Sequence, residues 1–221
     1  MKKTLRNLVA GVIIGAASLL PMKRAEAQVK GSVEYIQSEV NDNSYPRLNM
    51  FYSLPGKIGG FTFAEFYKAN KGYFARTNLN RPITKSIGPR ATMIHAGKPL
   101  SQIGLGVGAT VPYMPKNVSA NVGLLPVWMD NEGRIVKDKI EAQYFVNANL
   151  PLGFNVNSFG NLNVAAQGGP QWEYGEISAG RNIGPFRVSY NPALLNKGNA
   201  VPKLEHRVTI SLDFGSKQDK K

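Results

Sequence analysis

Cysteine is absent from the sequence. That excludes disulfide staples, thiolate metal sites and a lipid-modified N-terminal cysteine, and it leaves nothing to misoxidise in an oxidising compartment. Histidine is nearly absent, at His95 and His206 only. Long hydrophobic runs are lacking too. The longest, Leu8–Leu20, has 13 residues, whereas a membrane-spanning helix needs about 20. No helix cap is followed by a sustained i, i+3, i+4 pattern. Acids are the scarcer charge, 14 against 27 Lys and Arg, for a net +13.

What is present begins with an export segment. Lys2, Lys3 and Arg6 precede the Leu8–Leu20 run, Pro21 breaks it, and Ala25-Glu26-Ala27 forms a small-x-small site. Residues 1–27 are therefore expected to be a signal peptide cleaved before Gln28, although Lys23 and Arg24 are unusual inside one. An uncleaved anchor is the alternative, and the run is short for it. Cleavage would leave 22 basic and 13 acidic residues, a charge of +9. The basic residues are scattered along an exported chain, which favours small anions or acidic lipid over nucleic acid as partners.

From Gln28 onward the recurring unit is a strand-sized segment followed by Gly, Asn, Pro or Asp. At 204–214, Leu204, Val208, Ile210, Leu212 and Phe214 share one face, and Glu205, Arg207, Thr209, Ser211 and Asp213 the other. This period of two marks a sheet with one apolar and one polar side. Residues 48–54, 103–113, 118–128 and 140–150 alternate similarly, the last also admitting a short amphipathic helix. Weaker candidates lie at 29–40, 60–69, 72–80, 87–97, 161–168, 171–179 and 183–190. Turn chemistry is found at Pro55-Gly56-Lys57, Asn70-Lys71-Gly72, Met114-Pro115-Lys116-Asn117, Asp130-Asn131-Glu132-Gly133 and Gly180-Arg181-Asn182. The longest connection is expected at Asn191–Lys203, folding over one mouth. The fold class is all-β: a single up-and-down antiparallel transmembrane barrel of about 12 strands, or 10 if two weak candidates merge. The domain is expected over 28–214, with a polar tail at 215–221.

Alternation alone does not say which face is outside. In a soluble calyx the apolar face lines a ligand cavity; in a membrane barrel it meets lipid. Charges of both signs in the middle of the polar faces suit a hydrated lumen. Tyr113, Trp128, Tyr190 and Phe214 terminate apolar faces, the height of a lipid–water interface.

The final strand resembles the C-terminal recognition strand of bacterial outer-membrane barrels. Val208, Ile210, Leu212 and Phe214 alternate back from the aromatic end, and His206 stands where another ring or apolar residue is common. The resemblance implies a Gram-negative outer membrane, contact with its lipid, and insertion by the barrel-assembly machinery. Seven residues, Gly215–Lys221, extend the chain past Phe214.

Catalytic and metal signatures are missing. Neither His95 nor His206 has a nucleophile beside it in sequence, so a lipid-modifying barrel is only a rival reading. Asp130-Asn131-Glu132-Gly133 has part of a calcium-loop pattern without its later ligands. Gly104-x-Gly106-x-Gly108 lies within a strand, where small residues shape an interior rather than cradle phosphate. No cofactor or metal is expected. The candidate site is the polar face: Arg47, Arg76, Arg90, Lys139, Glu141, Arg187, Glu205 and Arg207 as lumen-lining residues. They form either an anion path or a network, with Glu34 and Asp213, that fills the barrel. The expected function is non-enzymatic, a narrow passive pore for small, preferably anionic solutes. The alternatives are a soluble exported barrel with an apolar ligand and a structural barrel with a filled lumen.

Overall fold

The computed structural model describes residues 28–38, 44–67, 72–97, 100–196 and 202–215. The expected signal peptide, Asn70-Lys71, residues 197–201 of the Asn191–Lys203 stretch and residues 216–221 of the tail lie outside the described residues.

Strand segments follow one another along the chain. They are β1 (Gln28–Ser38), β2 (Ser44–Leu54), β3 (Ile58–Tyr67), β4 (Gly72–Asn80), β5 (Ile87–Ala96), β6 (Leu100–Thr110) and β7 (Val118–Asp130). After these come β8 (Glu141–Asn149), β9 (Phe154–Asn163), β10 (Gln171–Ile183), β11 (Phe186–Tyr190), β12 (Ala193–Leu195), β13 (Lys203–Glu205) and β14 (Arg207–Gly215). From β1 to β10 each pairs antiparallel with the next. β11 and β12 both lie on β10 and are halves of one stave, broken at Asn191-Pro192. β13 and β14 are halves of the next, broken at His206 and paired with β12 and β11. Pro192 has no N–H to give a ladder, and its carbonyl accepts from the Ile177 N–H at 3.1 Å.

β14 then pairs with β1 from Lys30↔Gly215 to Ser38↔Arg207. The result is a closed, up-and-down, 12-stave barrel. Closure satisfies the backbone between staves and leaves no long sheet edge.

Burial along one strand decides the orientation. Val208, Ile210 and Leu212 are 51%, 50% and 46% exposed, while Thr209 and Ser211 are 1% exposed. β1 repeats this, with Val33 and Tyr35 outside and Ser32 and Glu34 buried. Apolar faces point outward and polar faces inward, the reverse of a soluble calyx.

Some boundaries differ from those read in sequence. β9 occupies Phe154–Asn163 rather than 161–168. Its inward positions Asn155, Asn157, Asn161 and Asn163 have poor strand propensity, yet the amides bond one another inside the barrel. Asn155 Nδ2 donates to Asn147 Oδ1 and Asn149 Oδ1 at 2.8 Å each, and Asn157 Nδ2 to Asn155 Oδ1 at 2.5 Å. Gly180-Arg181-Asn182 is not a turn. β10 runs through it to Ile183, and the hairpin turns at Gly184-Pro185, with Gly184 at φ 60°. Asn191–Lys203 is not one long connection, because β12 and β13 extend the wall and leave only 196–202 between them.

Candidate functional site

The inward face of β1 to β3 carries alternating charge. Glu34 is the register partner of Arg47, and Arg47 of Glu65. The Arg47 guanidinium donates to Glu65 Oε1 from Nε at 2.9 Å. It also reaches toward β10, donating from Nη1 and Nη2 to the two oxygens of Glu176, each at 3.0 Å. Arg207 Nη1 donates to Glu176 Oε2 at 3.1 Å and to Tyr174 Oη at 3.2 Å, and its Nη2 to Glu205 Oε2 at 3.3 Å. Ser38 Oγ donates to Glu205, and Arg187 lies 3.9 Å from Glu34. Burying one of these charges alone would be costly. The bidentate Arg47–Glu176 pair and its neighbours offset that cost by satisfying one another. Arg47 and Arg207 are thus committed to a crossbeam that fills one side of the lumen.

The other side is built by β4 to β8. Arg76 on β4 is ion-paired with Glu141 on β8, with side chains 11% and 0% exposed. Gln143 Nε2 donates to Glu141 Oε1 at 2.6 Å and to Thr92 Oγ1 at 3.2 Å, and Thr92 Oγ1 to Asn78 Oδ1 at 2.7 Å. Lys139, expected to line the lumen, lies in the connection between β7 and β8 rather than on a strand. From there it donates to Gln102 Oε1 at 2.7 Å and sits 4.0 Å from the Trp128 ring centroid. Arg90 differs from all of these. Its side chain forms no ion pair or hydrogen bond among the described residues, and its Nε is buried without a partner.

Glycines make room for these groups. A Cβ on Gly104 would meet the Trp128 ring at 2.6–2.9 Å, and one on Gly123 would meet Arg90 Cδ and Nη1 at 2.9 Å. The Gly104–Gly108 row therefore shapes the interior.

Between the two polar sides runs a cavity of about 760 Å³. It extends from Phe51 and Asn80, near the end that holds the described termini, to Tyr67 and Asn196 near the other. Phe61, Phe63, Phe74, Phe145 and Phe159 line it. Phe51 stacks on Phe61 at 4.6 Å between centroids. Phe63 and Phe159 lie 6.1 Å apart, although β3 and β9 stand six staves apart in the barrel. These rings narrow the lumen across its width.

Arg47, Arg76, Arg90, Glu141, Arg187, Glu205 and Arg207 all occupy inward register positions. Asp213 is exposed near the end of β14 and makes no ion pair among the described residues. Trp128 is a correction: it is fully buried inside, its Nε1 donating to the Leu125 carbonyl at 3.2 Å, and not an outward interface ring. The register shifts between Leu105 and Val107, which pair with Val127 and Leu124. Gly106 therefore faces the two residues Leu125 and Pro126. Such a bulge inverts the parity of everything after it. Tyr113 is outside β6, fully exposed in the connection that follows, with φ 60°. Tyr190 and Phe214 do face outward, 45% and 43% exposed. His95 and His206 face outward too. The His206 ring stacks on Tyr190 at 5.9 Å and 15° and hydrogen-bonds its hydroxyl.

Asp130 closes the turn after β7. Its Oδ1 accepts from the N–H groups of Glu132 and Arg134 at 2.9 and 3.0 Å, and its Oδ2 from Arg134 Nε at 2.8 Å.

Glu65, Tyr174, Glu176 and the inward phenylalanines are the site residues that sequence reasoning missed. One signal was available: Phe51 and Phe145 share the parity of Arg47 and Glu141, an odd place for a lipid-facing ring.

No known family profile matches the sequence, and no curated protein matches it. Solved structures do resemble the fold. The NanC porin aligns with a TM-score of 0.55 at 10% identity, covering 82% of this chain and 98% of that one. The KdgM porin aligns at 0.54 and 5% identity, covering 84% and 99%. At these identities the likeness establishes a shared barrel architecture.

Proposed function

We propose that this protein is a bacterial outer-membrane channel that passes small solutes by diffusion, with a preference for anions. The observation that carries the reading is the inverted wall: a closed barrel, apolar outside, polar inside, around a cavity of about 760 Å³. The longer segments, 9 to 13 residues in β1 to β10, suit tilted strands crossing an apolar band of about 25 Å. Both structures named above are porins, which supports passage of solutes here. Export by a cleaved segment over 1–27, and insertion by the barrel-assembly machinery reading the strand that ends at Phe214, complete the proposal.

Barrels of about eight strands are filled by side chains and those of 16 leave a wide channel. Twelve staves, crossed by Arg47–Glu176 and Phe63–Phe159, leave a narrow one. The anion preference rests on Arg90, a cavity-lining charge that makes no ion pair or hydrogen bond among the described residues. Glu173, the other lining charge outside an ion pair, accepts from Asn161 Nδ2 and is opposed by the charge of Lys139.

The test is electrical. Purified protein in planar bilayers is expected to give discrete conductance steps, with a reversal potential on the anion side of a potassium chloride gradient. Arg90→Gln is expected to move that potential toward the cation side. A folded barrel without steps would leave the crossbeam as the filling of a structural barrel. A cation preference unmoved by Arg90→Gln would dispose of the anion path.

A further inference from the structure

We infer that the lumen is a binding station for small carboxylates that carry a flat apolar ring, with Arg90 holding the carboxylate and phenylalanines holding the ring. The inference deepens the reading of the lumen as a solute path and rests on it.

Three arginines line the cavity: Arg76, Arg90 and Arg207. Glu141 takes Arg76, and Glu176 and Glu205 take Arg207. Arg90 alone among them has no partner within the described residues. Its chain lies on a floor of glycine, because side chains at Gly108 or Gly123 would crowd its methylenes. A guanidinium presents a planar fork of donors that matches a carboxylate, and it is less strongly hydrated than an ammonium. In a partly desolvated lumen such a pair is stronger than in water.

The rest of the solute is specified by what else lines the cavity. Phe61 and Phe63 on β3 and Phe145 and Phe159 on β8 and β9 line the same cavity from opposite arcs of the barrel. Rings of this kind prefer offset-stacked or edge-to-face partners. They offer no hydroxyl or amide to a polar solute. Nearby amide oxygens are already engaged, Asn78 Oδ1 by Thr92 and Asn121 Oδ1 by Thr110 at 2.9 Å. Against the faces of these rings a solute ring bearing many hydroxyl groups would lose hydrogen bonds, whereas an arene carboxylate loses few.

The probe is 4-fluorobenzoate, titrated onto the folded protein in micelles and followed by fluorine NMR, with competition by benzoate, acetate and glucuronate. Saturable binding is expected, displaced at least about tenfold less readily by acetate or glucuronate than by benzoate. Arg90→Gln is expected to weaken binding about tenfold, and Phe145→Leu about threefold. Heat-modifiable migration verifies that each variant is folded, and the competition series on the unaltered protein is decisive if one is not. Acetate or glucuronate competing as well as benzoate would overturn the inference, as would undiminished binding in folded Arg90→Gln. Ion current without fluorobenzoate binding overturns the inference alone. Binding without any ion current overturns the channel reading and leaves the station standing.

Discussion

Arg47→Ala is expected to destabilise the barrel by about 3–5 kcal/mol, the usual cost of removing one partner from a buried ion pair. The reason is what stays behind. Glu65 and Glu176 lose their shared guanidinium, and both are almost wholly buried. Glu34, 3.8 Å from Arg47, is left with Arg187 at 3.9 Å. Guanidinium-driven unfolding in lipid vesicles, followed by Trp128 and Trp172 fluorescence, measures the loss. Combining Arg47→Ala with Glu65→Gln is expected to cost less than the sum of the two, because Glu176 keeps Arg207 and Glu65 is the charge that the first change strands. A loss below about 1 kcal/mol for Arg47→Ala, the scale of an exposed ion pair, would show that the crossbeam is not formed.

Ile210→Arg is expected to cost about 2–4 kcal/mol in the same vesicles, as a cation placed on the lipid face near mid-height does. Ile210 is 50% exposed on β14 and opposite Tyr35 and Val188, two other outward residues. The sign of the effect separates two environments. In water an arginine at an exposed apolar position is neutral or helps solubility. An unchanged or raised stability for Ile210→Arg would place that wall in water.

The sequence carried the architecture well where one face was purely apolar. Val208, Ile210, Leu212 and Phe214 against Thr209, Ser211 and Asp213 could be read at sight, and the turn residues divided the chain into 12 staves. It carried least where that contrast failed. In β3, Phe61 and Phe63 point inward while Ala64 and Phe66 take the other parity, so neither face looks polar. In β9 the inward asparagines hid the first part of the strand, which was expected at 161–168. The bulge at Gly106 and Leu125-Pro126 could not be seen in advance, because its evidence lies in the pairing of two strands. It put Trp128 inside, beneath Lys139, rather than at an interface. The inward charges were legible as a set, but not their partners. Glu176 lies more than 100 residues from Arg47 in sequence, and only closure brings them together. That closure also separated Arg90 from the arginines that merely fill the barrel.

The most direct test of an inverted, hydrated barrel uses what the sequence lacks. With no natural cysteine, single cysteines can be placed at the adjacent positions Asn121, which lines the cavity, and Val122, which is 44% exposed on the outer wall. In vesicle-embedded protein, Asn121→Cys is expected to react with a membrane-impermeant thiosulfonate and to lose ion conductance as it does. Val122→Cys is expected to stay unreactive toward that reagent and to react with a lipid-soluble maleimide. An impermeant reagent that modifies position 122 and spares position 121 would contradict the inverted wall, and with it the channel.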